Sequence, residues 1–243
     1  MVPFGRTAAI FDVDDSLLDG NAGTIFTWYL YREKVMRPEV RSRIPRVIYD
    51  YARHRLGELD MVELGSRCHQ GLRADELKAH AHLCFERHLR KRITSGALRQ
   101  LRRHLLSGHF VLLASGSPQY VIDELGAHLR AHAAIGTRTR IVDGRATDQI
   151  IPPVVFRDGK REAVERACER WDLDLSRSWL YSDSPADEPL FEAVGHPVVV
   201  NPRPPFRAEA ERRGWPVVAW ADRSRPGTDG EGEGADEWGS WDG

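Results

Sequence analysis

One stretch near the start of the chain decides its fold: Ala8-Ala9-Ile10-Phe11-Asp12-Val13-Asp14-Asp15-Ser16-Leu17-Leu18. Its apolar beginning, preceded by Gly5, is typical of a short, fully buried β-strand. Side chains alternate along an extended chain, so Asp12 and Asp14 share one face at the carboxyl end of this strand. Two neighbouring carboxylates repel each other, and a hard divalent cation with oxygen ligands is the simplest partner for both. The same pattern also fits a strand that runs into a polar turn.

Composition limits the class of protein. The chain has 243 residues with 41% hydrophobic content, enough for one large domain or for a core with an inserted module. The net charge of −1 gives no overall preference for nucleic acid or membrane surfaces. Residues 37–103 nevertheless contain 16 Lys/Arg against 8 Asp/Glu, and residues 222–243 contain 2 against 7. A basic middle and an acidic end are therefore expected.

The cysteines and the apolar runs predict the compartment. Cys68, Cys84 and Cys168 are odd in number, widely spaced and without a C-x-x-C pair, which argues against a disulfide framework or a zinc site. No signal-peptide pattern and no apolar run near 18 residues is evident. We expect a cytoplasmic protein without a membrane partner, as a monomer or homodimer.

The order of predicted elements indicates an α/β fold. Helical periodicity extends from about residue 24 to residue 92, and further strands alternate with helices after it. This alternation predicts a Rossmann-like, doubly wound parallel sheet with an inserted all-helical cap. We expect residues 1–18 and 93–222 to form the catalytic core, residues 19–92 the cap, and residues 223–243 a disordered acidic tail.

Polar groups follow three of the predicted strands. They are Asp12 and Asp14 after the first, Ser115 after the second, and Asp183 with Asp187 after a later one, while Lys160 opens the helix before that last strand. Each group alone has an ordinary explanation as a turn hydroxyl, a helix cap or a solvated charge. Together they predict one ligand site, since ligands of open α/β sheets bind at the carboxyl ends of the strands.

These four groups resemble the motifs of the haloacid dehalogenase superfamily, specifically its phosphoserine-phosphatase-like branch, subfamily IB. The resemblance covers residues 8 to about 220. Its first motif, D-x-D-x-T/S, corresponds to residues 12–16, and its second to Ser115 in Leu113-Ala114-Ser115-Gly116-Ser117-Pro118. The third corresponds to Lys160, and the fourth to Asp183 and Asp187. Asp143-Gly144 and Asn201-Pro202 also match this branch.

The resemblance implies a role for each residue. Asp12 would be the nucleophile that forms an aspartyl-phosphate, and Asp14 the general acid and base. Mg²⁺ would be bound by Asp12, by the backbone carbonyl of Asp14 and by Asp183. Ser115, Gly116 and Lys160 would bind the phosphate oxygens. Asp187 would orient Lys160 or a metal-bound water.

Two positions depart from the family pattern. Asp15 replaces a Gly, Asn or other small residue, and we expect it to point to solvent or to cap the following loop. Asn21 stands where phosphoserine phosphatases have a Glu that binds the substrate ammonium group. A substrate without an ammonium group therefore fits better. The arginine excess of the cap (Arg41, Arg43, Arg46, Arg53, Arg55, Arg67 and Arg73) would attract phosphorylated substrates, although most of these side chains are expected to be solvated.

The resemblance thus implies a Mg²⁺-dependent phosphatase acting on a small phosphorylated metabolite. Phosphoserine phosphatase proper and a phosphoryl transferase with an acceptor other than water are alternatives. An inactive binding protein of the same fold is the non-enzymatic alternative, and the complete set of motif residues argues against it. Nucleic-acid binding by the basic cap lacks a recognisable motif.

Overall fold

The computed structural model describes residues 5–53 and 55–220, without the side chains of residues 52, 58 and 66. The strands in this part of the chain are β1 (Ala8–Asp12), β2 (Phe110–Pro118), β3 (Ala133–Val142), β4 (Arg145–Ile151), β5 (Trp179–Ser182), β6 (His196–Val200) and β7 (Val217–Val218). They form one sheet in the order β4-β3-β2-β1-β5-β6-β7. All neighbouring strands are parallel except β3 and β4. The predicted α/β fold with a mostly parallel sheet is confirmed.

Ten α-helices accompany the sheet in the described residues. They are α1 (Ala22–Arg32), α2 (Pro38–Arg41), α3 (Ile44–Ala52), α4 (Glu58–His69), α5 (Ala74–Cys84), α6 (Ser95–Leu106), α7 (Gln119–Leu129), α8 (Asp158–Trp171), α9 (Glu188–Phe191) and α10 (Pro204–Arg212). None of the described helices is both long and apolar enough to cross a membrane.

The central strand β1 has apolar side chains on both faces, as a buried parallel strand requires. Ala9 and Phe11 belong to a core shared with α1, α6 and α7 on one face of the sheet. Ala8 and Ile10 belong to a second core shared with α8, α9 and α10 on the other face. The two neighbours of β1 are β2 and β5. The carboxyl ends of these three strands therefore meet at the middle of one sheet edge.

Main-chain hydrogen bonds join the two ends of the helical region α1–α5 to each other and join its far side to the sheet. Its entry and exit segments lie side by side, where the amide of Asp19 donates to the carbonyl of Arg92 at 2.9 Å. At the other end, the connection between α4 and α5 pairs with the hairpin β3–β4. The amide of Gly71 donates to Ala146, that of Ala146 to Leu72, and that of Ala74 to Gly144, at 2.7–2.9 Å. The division into core and cap stays a prediction.

The structure refines several predicted boundaries. Strand β2 extends through Ser115 and Gly116 to Pro118, with an irregular register after Ala114. The helix predicted to end near residue 92 is regular only to Cys84 and continues as π and 3₁₀ turns. Asp143 and Gly144 form the hairpin turn with φ of 49° and 75°, the left-handed pair of a type I′ turn. The predicted tail 223–243 lies outside the described residues.

Candidate active site

A buried lysine joins two of the predicted carboxylates. The Nζ atom of Lys160, from the first turn of α8, donates to Oδ1 of Asp12 at 2.6 Å and to Oδ2 of Asp187 at 2.5 Å. Ser182, at the end of β5, donates to the same Asp187 oxygen at 2.6 Å. All four side chains are buried. Lys160 of the third motif thus links Asp12 of the first motif to Asp187 of the fourth. Two buried carboxylates need such a cationic partner, because water is excluded around them.

The charges of this group are strongly perturbed. Burial raises the pKa of Asp12 to about 7, although the Lys160 cation acts to lower it, and Asp187 and Asp14 raise it further. For Lys160, burial acts to lower the pKa, but the attraction of Asp12 and Asp187 outweighs it and raises the pKa above its usual value. The lysine therefore stays cationic and offsets part of the negative charge at the strand ends.

Asp14 lies in a different environment from Asp12. Its Oδ2 accepts hydrogen bonds from the hydroxyls of Ser115 at 2.6 Å and Ser117 at 2.9 Å. Its Oδ1 accepts from the amide of Ala22, at the start of α1, at 2.6 Å. Burial raises the pKa of Asp14 despite these hydrogen bonds, which act to lower it. The two carboxylates of the D-x-D motif therefore have separate partners: a cation for Asp12 and neutral donors for Asp14.

Ser16 positions Asp183. The Ser16 hydroxyl donates to Oδ1 of Asp183 at 3.0 Å and accepts from the Asp183 amide at 2.8 Å. Burial raises the pKa of Asp183 well above its ordinary value, and the nearby charges of Asp12 and Asp15 raise it further. Carboxylates from β1 and β5 thus approach each other at one point of the sheet edge.

Asp15 has an exposed side chain and a left-handed backbone, with φ of 56°. This conformation explains why the family pattern has small residues or Asn here, because Asp and Asn adopt it more readily than most side chains. Its carbonyl accepts from the Asn201 side chain at 3.4 Å, which ties the loop to the end of β6. The expectation of a solvent-facing Asp15 agrees with the structure.

A cavity of about 130 Å³ opens beside these groups. Its floor contains the carboxylates of the D-x-D pair, Asp183 and Asp187, together with Lys160 and Gly116. Its walls come from α1, α3, α4, the hairpin strand β3 and the segment before α8. The wall residues include Thr24, Thr27, Tyr51, Met61, Val62, Gly65, His69, Thr137, Thr139, Val155 and Phe156. A Cβ atom on Gly116 would lie 3.3 Å from the Val155 carbonyl oxygen, so a larger residue would narrow this cavity.

Two predicted groups have partners that the sequence did not indicate. The Ser115 hydroxyl donates to Asp14 in this structure, so it would have to exchange this partner to bind a phosphate oxygen. The side chain of Asn21 accepts from the amide of Thr24 at 2.8 Å and caps α1. None of the seven arginines predicted to attract substrate lines the cavity.

Three site residues were missed. Ser117 was part of the second motif but had no predicted role, although its position two residues after Ser115 places it on the same side of an extended chain. Ser182 directly precedes Asp183, and its contact with Asp187 depends on the turn that follows β5. His69 is one of ten scattered histidines, and no sequence signal distinguishes it.

The donor set is suited to a hard divalent cation. The carboxylates of Asp12 and Asp183 and the carbonyl of Asp14 are oxygen donors, as Mg²⁺ prefers, and Mg²⁺ usually keeps several waters besides one or two carboxylates. Burial raises the pKa values of Asp12 and Asp183, and the charges of neighbouring carboxylates raise them further, a repulsion that a cation would relieve. No cluster of three or more His, Cys, Asp or Glu side chains that could hold a metal occurs in the described residues. The Asp14 carboxylate is hydrogen-bonded to Ser115 and Ser117, so it does not form such a cluster with the carboxylates of Asp12 and Asp183.

Comparison with known proteins identifies the family. The model for haloacid dehalogenase-like hydrolases matches residues 9–192. A phosphoserine phosphatase of Mycobacterium tuberculosis is 27% identical over 221 residues, covering 86% of this chain and 70% of that protein. A histidinol-phosphatase of Neisseria meningitidis is 25% identical over 222 residues, covering 88% of this chain and 98% of that protein.

A solved structure supports the same assignment. A protein of unknown function from Bordetella pertussis shares 29% identity and a TM-score of 0.80, covering 88% of this chain and 98% of that one. The chain therefore belongs to the haloacid dehalogenase-like hydrolases, and its predicted likeness to the phosphoserine phosphatases of that family is confirmed.

Proposed function

We propose that this hydrolase is a Mg²⁺-dependent phosphatase that cleaves a small organic phosphate monoester through an aspartyl-phosphate on Asp12. The observation that carries this proposal is the separation of Asp12 from Asp14. Lys160 holds one of them, and neutral donors hold the other. Two carboxylates in unlike environments are suited to two different chemical roles.

In the first step, a carboxylate oxygen of Asp12 forms a bond to phosphorus while the bond between phosphorus and the ester oxygen breaks. Asp14 in its acid form donates a proton to the leaving alkoxide. In the second step, water forms a bond to phosphorus and passes a proton to Asp14, while the bond between phosphorus and the Asp12 oxygen breaks. Inorganic phosphate leaves, and Asp12 returns to the carboxylate and Asp14 to the acid form. Lys160 and the backbone amide of Gly116 would offset charge on the phosphoryl oxygens.

Asp12, Asp183 and the Asp14 carbonyl would hold Mg²⁺. When bound, this cation would reduce the repulsion between the carboxylate nucleophile and the phosphate dianion. Lys160 does not reach Asp183, whose carboxylate accepts a hydrogen bond from the Ser16 hydroxyl and forms no salt bridge within the described residues.

The substrate is expected to be small and to lack an ammonium group. A cavity of about 130 Å³ admits a small alcohol and not a folded macromolecule. The position that binds ammonium in phosphoserine phosphatases is Asn21, whose side-chain oxygen already accepts from Thr24. The relatives named for phosphoserine and for histidinol phosphate share a phosphate monoester and differ in the alcohol.

A panel of phosphate monoesters, assayed with Mg²⁺ and with EDTA, tests the proposal. We expect phosphate release only with Mg²⁺, and slower release from O-phosphoserine than from esters of uncharged alcohols. Preferential turnover of O-phosphoserine would establish the phosphoserine phosphatase alternative. Absence of release from every ester would contradict the proposal.

A further inference from the structure

The cavity has two chemically distinct parts. Its charged lining residues are Asp12, Asp14, Asp15, Lys160, Asp183 and Asp187, all of which belong to the motif cluster at the strand ends. The remaining described lining residues, which come from α1, α3, α4, β2, β3 and connecting segments, include no Asp, Glu, Lys or Arg. The part that would receive the leaving alcohol therefore offers hydroxyls, apolar groups and one imidazole.

That imidazole belongs to His69, the last residue of α4. Val62, Gly65 and His69 recur at three- and four-residue intervals and so share one face of this helix, and all three line the cavity. Val62 on this face approaches the end of β2, since a Cβ atom on Gly116 would lie 3.5 Å from its Cγ2. The cavity face of α4 thus lies over the second motif.

His69 is fixed in place but lacks hydrogen-bond partners. Its side chain is 1% exposed, and its ring packs against Phe26 at 5.5 Å and Tyr120 at 6.2 Å between centroids. Among the described residues, neither Nδ1 nor Nε2 has a hydrogen-bond partner. Buried polar groups in folded proteins are nearly always hydrogen-bonded, so two unpartnered nitrogens on a residue that lines the cavity indicate a missing ligand group.

The chemistry of the ring defines what that group is. Burial lowers the pKa of His69 to about 4, so the ring is neutral near pH 7. A neutral imidazole has one N–H donor and one acceptor nitrogen. A hydroxyl group also donates and accepts, and it carries no charge that would require a counterion in this part of the cavity.

We propose that His69 is a specificity-determining residue that hydrogen-bonds a hydroxyl of the leaving alcohol, so that the preferred substrates are phosphate monoesters of polyols or sugars. Thr24, Thr27 and Thr139 place further hydroxyl groups in the same walls. This inference rests on the proposed phosphatase function and adds to it the class of the alcohol.

Matched substrate pairs test the inference. One pair is sn-glycerol 3-phosphate with propyl phosphate, and a longer pair is ribitol 5-phosphate with pentyl phosphate. For at least one pair, we expect the wild-type enzyme to prefer the hydroxylated member by at least ~10-fold in kcat/KM. In His69→Leu, the preference should fall below about 2-fold, mainly through a higher KM for the hydroxylated ester.

Two further variants guard against a folding artefact. His69→Gln keeps a donor and an acceptor and should retain part of the preference. Cys68→Ala removes a buried neighbour on the same helix that does not line the cavity, and it should keep the wild-type preference.

The outcomes separate the two proposals. Equal turnover of both members of each pair by the wild-type enzyme would overturn the role of His69 and leave the phosphatase function standing. The same conclusion follows if His69→Leu keeps the wild-type preference for the hydroxylated esters. If no ester releases phosphate with Mg²⁺, the phosphatase function itself fails, and the inference fails with it.

Discussion

The Nζ atom of Lys160 lies 2.6 Å from Oδ1 of Asp12, and no hydrogen bond from the described residues reaches the other oxygen of that carboxylate. One oxygen is therefore held and partly neutralised, while the second is left for phosphorus or a cation. This arrangement orients the proposed nucleophile without occupying both of its oxygens.

Asp12→Asn should abolish phosphate release, because an amide oxygen is a far weaker nucleophile than a carboxylate of nearly the same shape. We expect a loss on the order of 10⁴-fold in kcat or more. Circular dichroism should show an unchanged fold. Asp148→Asn, on the exposed side of the hairpin, is the matched control and should keep full activity. Full activity in Asp12→Asn would exclude the covalent mechanism.

Ser117→Ala tests the positioning of Asp14. The variant loses a hydroxyl that lies 3.0 and 2.9 Å from the two Asp14 oxygens. We expect kcat to fall roughly 10- to 100-fold, as is common when an orienting partner is removed. The ionisation assigned to Asp14 in the pH profile of kcat/KM should move to higher pH, since a hydrogen bond that favours the carboxylate is gone. An unchanged pH profile would reduce Ser117 to a structural role.

Lys160→Met should unfold more easily than the wild type in the absence of Mg²⁺. The substitution leaves the buried carboxylates of Asp12 and Asp187 without their cation, which costs about 3–5 kcal/mol in the free energy of unfolding. Urea denaturation at pH 7 measures this change. Arg161→Met removes an exposed ion pair with Glu165 on the same helix and should change stability little. Equal effects of the two substitutions would contradict a buried charge cluster.

Mg²⁺ should stabilise the wild type against heat, and Asp183→Asn should remove most of this stabilisation. At a concentration 100 times Kd, a ligand bound only by the folded state adds about 2.7 kcal/mol. Without Mg²⁺, the variant should be at least as stable as the wild type at pH 7, because burial, together with the charges of Asp12 and Asp15, raises the pKa of Asp183. Melting curves with and without Mg²⁺ measure both effects. Equal stabilisation of wild type and variant by Mg²⁺ would place the ion elsewhere.

Lowering the pH should decrease the free energy of unfolding, and protonation of His104 should contribute to this decrease. Burial lowers the pKa of this histidine from 6.5 to about 4, with the neighbouring His109 adding to the shift. Between these two values the unfolded chain binds more protons than the folded one, so stability is complete above pH 6.5 and decreases as the pH falls toward 4. We expect a contribution of about 1–2 kcal/mol over this range.

His104→Gln should show a correspondingly smaller loss of unfolding free energy between pH 6.5 and 4 in urea titrations. The wild-type ring nitrogens contact His109 and the Tyr181 hydroxyl, each at 2.8 Å, so the variant tests a defined pair of contacts. Parallel pH dependences of variant and wild type would assign the effect to other histidines.

Sequence alone could predict the fold and the convergence of the four motifs, because apolar runs mark the strands and motif residues follow their carboxyl ends. The position of Lys160 near the D-x-D pair followed from the family resemblance. Its simultaneous contact with Asp187 depends on how α8 packs against the turn after β5, which no local pattern encodes. The prediction that Ser115 binds phosphate stays untested, and its contact with Asp14 was not foreseen.

The position of His69 in the cavity wall could not be predicted from the sequence either, because it depends on contacts between distant parts of the chain. His69 lies at the end of a helix whose packing partners, Phe26 and Tyr120, are distant in sequence. Tyr51 lines the cavity, whereas Tyr29 on helix α1 is buried and contacts His80. Periodicity identifies the buried face of a helix and does not distinguish a cavity wall from a packed core.

The pairing of the hairpin with the connection between α4 and α5 restricts how substrate reaches the site. Three main-chain hydrogen bonds would have to break before the helical region could swing away as one rigid hinged lid. Helices α2 and α3 take no part in these three hydrogen bonds, and Tyr51 of α3 lines the cavity. Substrate that enters beside Tyr51 would therefore leave the pairing of the hairpin with the helical region intact.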